Sequence, residues 1–203
     1  MSDRAQRLQI YKDCMSEIKE RIASIDGVLI DWREKSLATT YACEAASLQL
    51  RKVYELIAFA AMSADLEKYS SARTKFSKDW NLAEILKIIE KLNGSFLPQP
   101  MRRVPSTVEG VKWHFEERPE AILSKDDLIL RHGQLGTILH AENPFAERYD
   151  RRHYLLRIDT WVREVGNLLA QHRYVLGPMQ TGYIIELNNH GQDVTAFPYD
   201  LAE

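Results

Sequence analysis

A chain of 203 residues with 45% hydrophobic and 28% charged residues is long enough to bury a real core, and its composition excludes a disordered or fibrous class. A net charge of −2 excludes a general attraction to nucleic acid or anionic membrane, so any such role must rest on local basic patches. Two cysteines, Cys14 and Cys43, stand at no motif spacing and suit a reducing cytoplasm, and the polar MSDRAQRLQ start holds no signal-peptide core.

In chain order, Leu8, Tyr11, Met15, Ile18, Ile22 and Ile25 recur at three and four, which predicts an amphipathic helix over 4–25 that Asp26-Gly27 ends. Ser36 is placed to cap a long helix running to about Ala64, apolar nearly all round in its second half and therefore central. Its run from Val53 to Ala64 is interrupted by Glu55 and falls short of the roughly 20 residues that span a bilayer, so no membrane is expected. Arg51 and Glu55 lie one turn apart on this helix and can meet. They read either as an ion pair tying helices together or as an anion holder, Arg51, oriented by its acid.

Residues 65–79 read as a polar connection, and Asn81 caps a helix LAEILKIIEKL that Asn93-Gly94 closes. Pro98, Pro100 and Pro105 argue against regular structure across 95–107, while VKWHFE at 111–116 alternates like a short strand. Arg102-Arg103 reads as solvated surface charge. Ser124, with Asp127 three residues on, opens a further helix. That helix carries Gly133 and Gly136, each costing about 1 kcal/mol relative to alanine, which calls for a close neighbour or a ligand. Gly136 is four residues from both His132 and His140, giving a bare notch between two imidazoles. The notch either seats a neighbouring helix or forms a functional groove.

Asn143-Pro144 stops that helix and is placed to start the next, which is expected to reach about His172. Its first half carries Arg148, Arg151, Arg152 and His153, a basic patch suited to a polyanion or simply to solvent. YIIELN and DVTAFPY flank NHGQ in a hairpin pattern, and no Lys or Arg follows Tyr174, so the hairpin offers an unguarded edge for a subunit contact. The expected fold is mainly α: a bundle of about five helices over 1–173, with a small C-terminal β hairpin over 174–203 packed on the same domain. There is no HExxH, CxxC pair, GxSxG or Walker lysine; GPMQTG at 177–182 has Tyr183 where the lysine would stand. No metal or cofactor is expected.

The segments LQLRKVYELIAFAAMSA and RHGQLGTILHAENPF, together about a sixth of the chain, resemble parts of HEPN-like bacterial proteins. The HEPN motif is an Arg, a polar residue, and a His four to six residues after the Arg. Arg148 and His153 have that spacing; Arg131 and His140 do not, and fall on opposite helix faces. The resemblance implies a helical RNA-binding or metal-independent ribonuclease effector of a bacterial toxin–antitoxin or anti-phage system. Its partners would be RNA and an antitoxin or other protein, with a homodimer as its assembly. His132, His140, Arg51 and Glu55 are the candidate catalytic residues, with a histidine as general acid and an arginine stabilising phosphoryl charge. Arg148, Arg151, Arg152 and His153 are the candidate nucleic-acid contacts. The alternative is a non-catalytic helical protein that binds a partner protein or a small anionic ligand.

Overall fold

The computed structural model describes residues 3–64, 66–72, 81–94, 96–141, 143, 145, 149–175, 181–188 and 191–200. These form helices α1 (Asp3–Arg33), α2 (Thr39–Ala64), α3 (Leu66–Ala72) and α4 (Leu82–Leu92), strands β1 (Gln99–Pro105) and β2 (Trp113–Glu117), helices α5 (Lys125–Ile138) and α6 (Arg151–Leu169), and strands β3 (Gln171–Val175), β4 (Thr181–Glu186) and β5 (Thr195–Asp200). The protein is mainly helical with a small antiparallel five-stranded sheet, in the order β2-β1-β3-β4-β5. Among the described residues, no helix is long and apolar enough to cross a membrane.

Helix α2 is the hub, touching α1, α3, α4, α5 and α6. Small residues let those neighbours approach: Ala42, Ala46, Ala58, Ala60 and Ala61 are all buried. α1 does not stop at Asp26-Gly27 but continues to Arg33. Its buried stripe of Met15, Ile18 and Ile25 extends to Leu29, and burying one such side chain contributes about 1.5–3 kcal/mol, which outweighs the roughly 1 kcal/mol cost of a helical glycine.

The turn after α1 also departs from expectation. Ser36 does not cap α2; its hydroxyl and its N–H both donate to the Asp31 carbonyl, at 2.9 Å each, and Lys35 N–H donates to Trp32 O at 3.1 Å. This is a Schellman closure of α1, with Lys35 in the left-handed position at φ 62°. α2 then starts at Thr39, with the Ala38 carbonyl accepting the first helical bond from Ala42 N–H at 3.0 Å.

Four other expectations change. Part of the polar 65–79 connection is helix α3. The proline-rich 95–107 region contains strand β1, because Pro100 needs only its carbonyl there, accepting from Arg118 N–H at 2.8 Å, and Pro105 sits at the strand's end. Asn143 makes an Asx turn, accepting from Phe145 N–H at 3.0 Å, and Asp150 is the residue that caps α6, accepting from His153 N–H at 3.0 Å. α6 ends at Leu169, so His172 belongs to β3, whose range Gln171–Val175 runs across the expected boundary between residues 173 and 174. Pro144, Arg148 and the Asn189-His190 pair lie outside the described residues. The Arg102-Arg103 pair is engaged, Arg102 with Glu116 at 2.9 Å and Arg103 with Glu186.

Sheet and helices share one core. Alternate residues His172 and Tyr174 of β3 face inward, where Tyr174 packs on Tyr11 with ring centroids 3.7 Å apart. Tyr11 Oη lies 2.6 Å from His172 Nε2, and His172 Nδ1 lies 2.9 Å from the Leu169 carbonyl. A carbonyl can only accept, so Nδ1 carries the hydrogen and Nε2 accepts from the tyrosine. Burial holds the His172 pKa down to about 4, so the ring is neutral.

Candidate functional site

The expected capping box at the start of α5 is present: Asp127 N–H donates to Ser124 Oγ at 3.0 Å, and Ser124 N–H donates to Asp127 Oδ2 at 3.2 Å. This fixes the helix start and sets His132 and Gly136 one turn apart against α2. Opposite them stand Glu55 and Arg51, also one turn apart. His132 Nε2 is 2.9 Å from Glu55 Oε1, and a Cβ on Gly136 would collide with the Arg51 guanidinium. Advancing one turn along α5 thus means retreating one turn along α2, so the two helices pass antiparallel here.

Arg51 Nε is 3.4 Å from the same Glu55 oxygen that receives His132. One carboxylate therefore holds both a guanidinium and an imidazole. Because an ionised carboxylate only accepts, His132 Nε2 is the donor and Nδ1 keeps the lone pair. Burial lowers the His132 pKa below its ordinary 6.5 and the nearby Arg51 charge lowers it further, against the opposing pull of Glu55. The ring is neutral at pH 7. His132 is 14% exposed and Arg51 and Glu55 are each 28% exposed, so the cluster lies at the surface rim of the α2–α5 seam and not deep in the core.

The notch expected at Gly136 is real as a gap in α5, and the Arg51 guanidinium fills it. His140 does not share the stripe. α5 ends at Ile138, and the next two N–H groups turn back by three residues, Leu139 to Gly136 O at 3.2 Å and His140 to Thr137 O at 3.4 Å. His140 is left exposed, and none of the cluster's hydrogen bonds includes it. Arg131 is likewise engaged elsewhere, paired with Glu164 and lying 5.5 Å from the centroid of the Trp161 ring.

Of the expected nucleic-acid contacts, Arg148 lies outside the described residues. Arg151 is half-buried near Cys43, whereas Arg152 and His153 are exposed on the first turn of α6. Arg152 meets two residues that the sequence did not single out: Arg33 and Lys35 line the same cavity of about 480 Å³. Among the described residues no group of three or more His, Cys, Asp or Glu is placed to hold a metal ion. No protein-family model, curated protein or solved structure matches the chain.

Proposed function

We propose that this protein is a HEPN-like, metal-independent endoribonuclease of a bacterial toxin or anti-phage system, with His132, Glu55 and Arg51 as its working residues. The observation that carries the reading is the shared Glu55 carboxylate, which fixes the His132 tautomer while Arg51 is held over Gly136. On this reading a neutral His132 takes the proton of an RNA 2′-hydroxyl on Nδ1 as that oxygen attacks the adjacent phosphorus. Arg51 balances the charge gathering on the phosphoryl oxygens, and the imidazolium returns the proton to the departing 5′ oxygen. The products are a 2′,3′-cyclic phosphate and a 5′-hydroxyl. RNA is then the substrate, and an antitoxin would act by covering the α2–α5 seam.

The test is incubation of single-stranded RNA with the protein in excess EDTA. Cleavage leaving cyclic phosphate ends, and lost in His132→Ala and Arg51→Ala variants that melt near wild type, is the expected result. No cleavage, or cleavage unchanged in both variants, overturns it.

A second reading has an observation of its own. Arg51, Glu55 and His132 satisfy one another and close the Gly136 gap, which is what a tie between α2 and α5 requires in a non-catalytic binding protein. In that case the same variants change stability alone.

A further inference from the structure

The corner where α1 turns into α2 and meets the start of α6 contains two local choices that work against the fold. Lys35 occupies the left-handed position of the Schellman turn, where glycine is favoured and a side chain is strained. Ala38 stands at the N-cap of the 26-residue α2, where it offers no side-chain acceptor to the first-turn N–H groups, and that first turn has no acidic residue. Departures from local preference of this kind gather at functional sites.

Both residues line the 480 Å³ cavity, together with Trp32, Arg33, Thr39 and Arg152, and among the described residues no acid lines it. Its size is that of a small-ligand pocket. Arg33 is paired with Asp159 at 3.0 Å, and Trp32 Nε1 donates to Thr39 Oγ1 at 3.2 Å, which anchors the wall. Lys35 and Arg152 have no ion-pair or side-chain hydrogen-bond partner among the described residues. Two uncommitted cations, a third fixed in position, and the positive end of a long helix thus converge on one concavity.

We propose that this cavity binds the phosphate group of a nucleotide-sized ligand, with Arg33, Lys35 and Arg152 as its cationic contacts and the α2 first-turn amides completing the oxyanion cradle. The site is separate from the Arg51–Glu55–His132 cluster and does not depend on that cluster being catalytic.

The test is calorimetric titration of the full chain at low salt with inorganic phosphate, AMP and adenosine. Phosphate and AMP should bind and adenosine should not. Lys35→Gly and Ala38→Asp relieve the two local conflicts, so each should raise the melting temperature while weakening AMP binding tenfold or more. Arg152→Gln should weaken it similarly with no change in melting. A single-stranded RNA oligonucleotide that competes with AMP identifies a nucleic-acid backbone as the phosphate source, and AMP binding without competition identifies a free nucleotide. Failure of phosphate and AMP to bind wild type, or AMP affinity unchanged across the three variants, overturns the proposal. None of these variants touches Arg51, Glu55 or His132, so the outcome is independent of the RNA cleavage assay.

Discussion

The Arg51 guanidinium occupies the space in which a side chain at residue 136 would begin, and Gly136 is the residue that leaves it open. A glycine inside α5 and an arginine inside α2 are thus halves of one arrangement. Gly136→Ala sets two effects against each other: a gain of about 1 kcal/mol in helix preference and the displacement of a flexible, partly exposed Arg51 tip. The expected stability is close to wild type. With Arg51→Ala already present, the same substitution should deliver its full gain of about 1 kcal/mol. Urea melts of the two single variants and the double variant measure the coupling, and simple additivity would show that Arg51 is not seated on residue 136.

Charge changes around His132 should move its titration in opposite directions. Glu55→Gln removes the carboxylate that favours the imidazolium, so the pKa falls further below 6.5. Arg51→Gln removes a repelling charge, so the pKa rises. Following the His132 ring protons by NMR across pH 4–8 checks both signs, and a shared direction would mean the three groups do not share one local field.

His172 makes the fold acid-sensitive. Its folded pKa of about 4 lies below the ordinary 6.5, so between those values the unfolded chain binds more protons than the native one. Its contribution is therefore fully present above pH 6.5 and is lost as pH falls toward 4, by roughly 3 kcal/mol over the whole window. His132 shifts in the same direction and adds to the effect. His172→Leu should flatten the slope. It should also lower stability at pH 7 by about 1–3 kcal/mol for each group left unpaired, Tyr11 Oη and the Leu169 carbonyl. Denaturant melts at pH 7 and pH 5 separate the two effects.

At the C-terminal hairpin, Tyr199 lies directly across from Gly182, and a Cβ on that glycine would collide with the tyrosine ring. Gly182→Val should force the ring away and cost about 1–3 kcal/mol by overpacking. Tyr199 Oη is buried without a hydrogen-bond partner among the described residues, so Tyr199→Phe should be neutral or slightly stabilising. A large loss in Tyr199→Phe would mean the hydroxyl has a partner. Thermal melts of both variants provide the measurement.

Features written in a few adjacent residues were legible in the sequence. The Asn81 cap, with its side chain accepting from Glu84 N–H at 3.2 Å, and the Ser124–Asp127 box both arise from contacts three positions apart. The meeting of Arg51 and Glu55 was legible for the same reason. What escaped notice depends on partners that no short motif spacing names. Gly27 reads as a stop until Leu29 is seen to be buried beside it, and Ser36 reads as a cap until Asp31 claims its hydroxyl. Gly136 advertised an unusual neighbour but could not name Arg51, which lies on another helix. Arg33 and Lys35 join Arg152 only through the turn between α1 and α2, and no spacing in the sequence predicts that meeting.

The contact of Tyr11 with His172 bridges 161 positions, and that of Arg4 with Tyr183 bridges 179. A ribosome adding about 5–20 residues per second therefore takes on the order of ten to thirty seconds to deliver the strand that covers the first helix. During that interval the apolar stripe of Tyr11, Met15 and Ile18 can pair with α2 but not with the sheet, and the nascent chain displays a half-covered face. Complete burial must await the synthesis of β3 and β4, which makes the docking of those strands the closing step of folding and α1 the natural foothold for a chaperone.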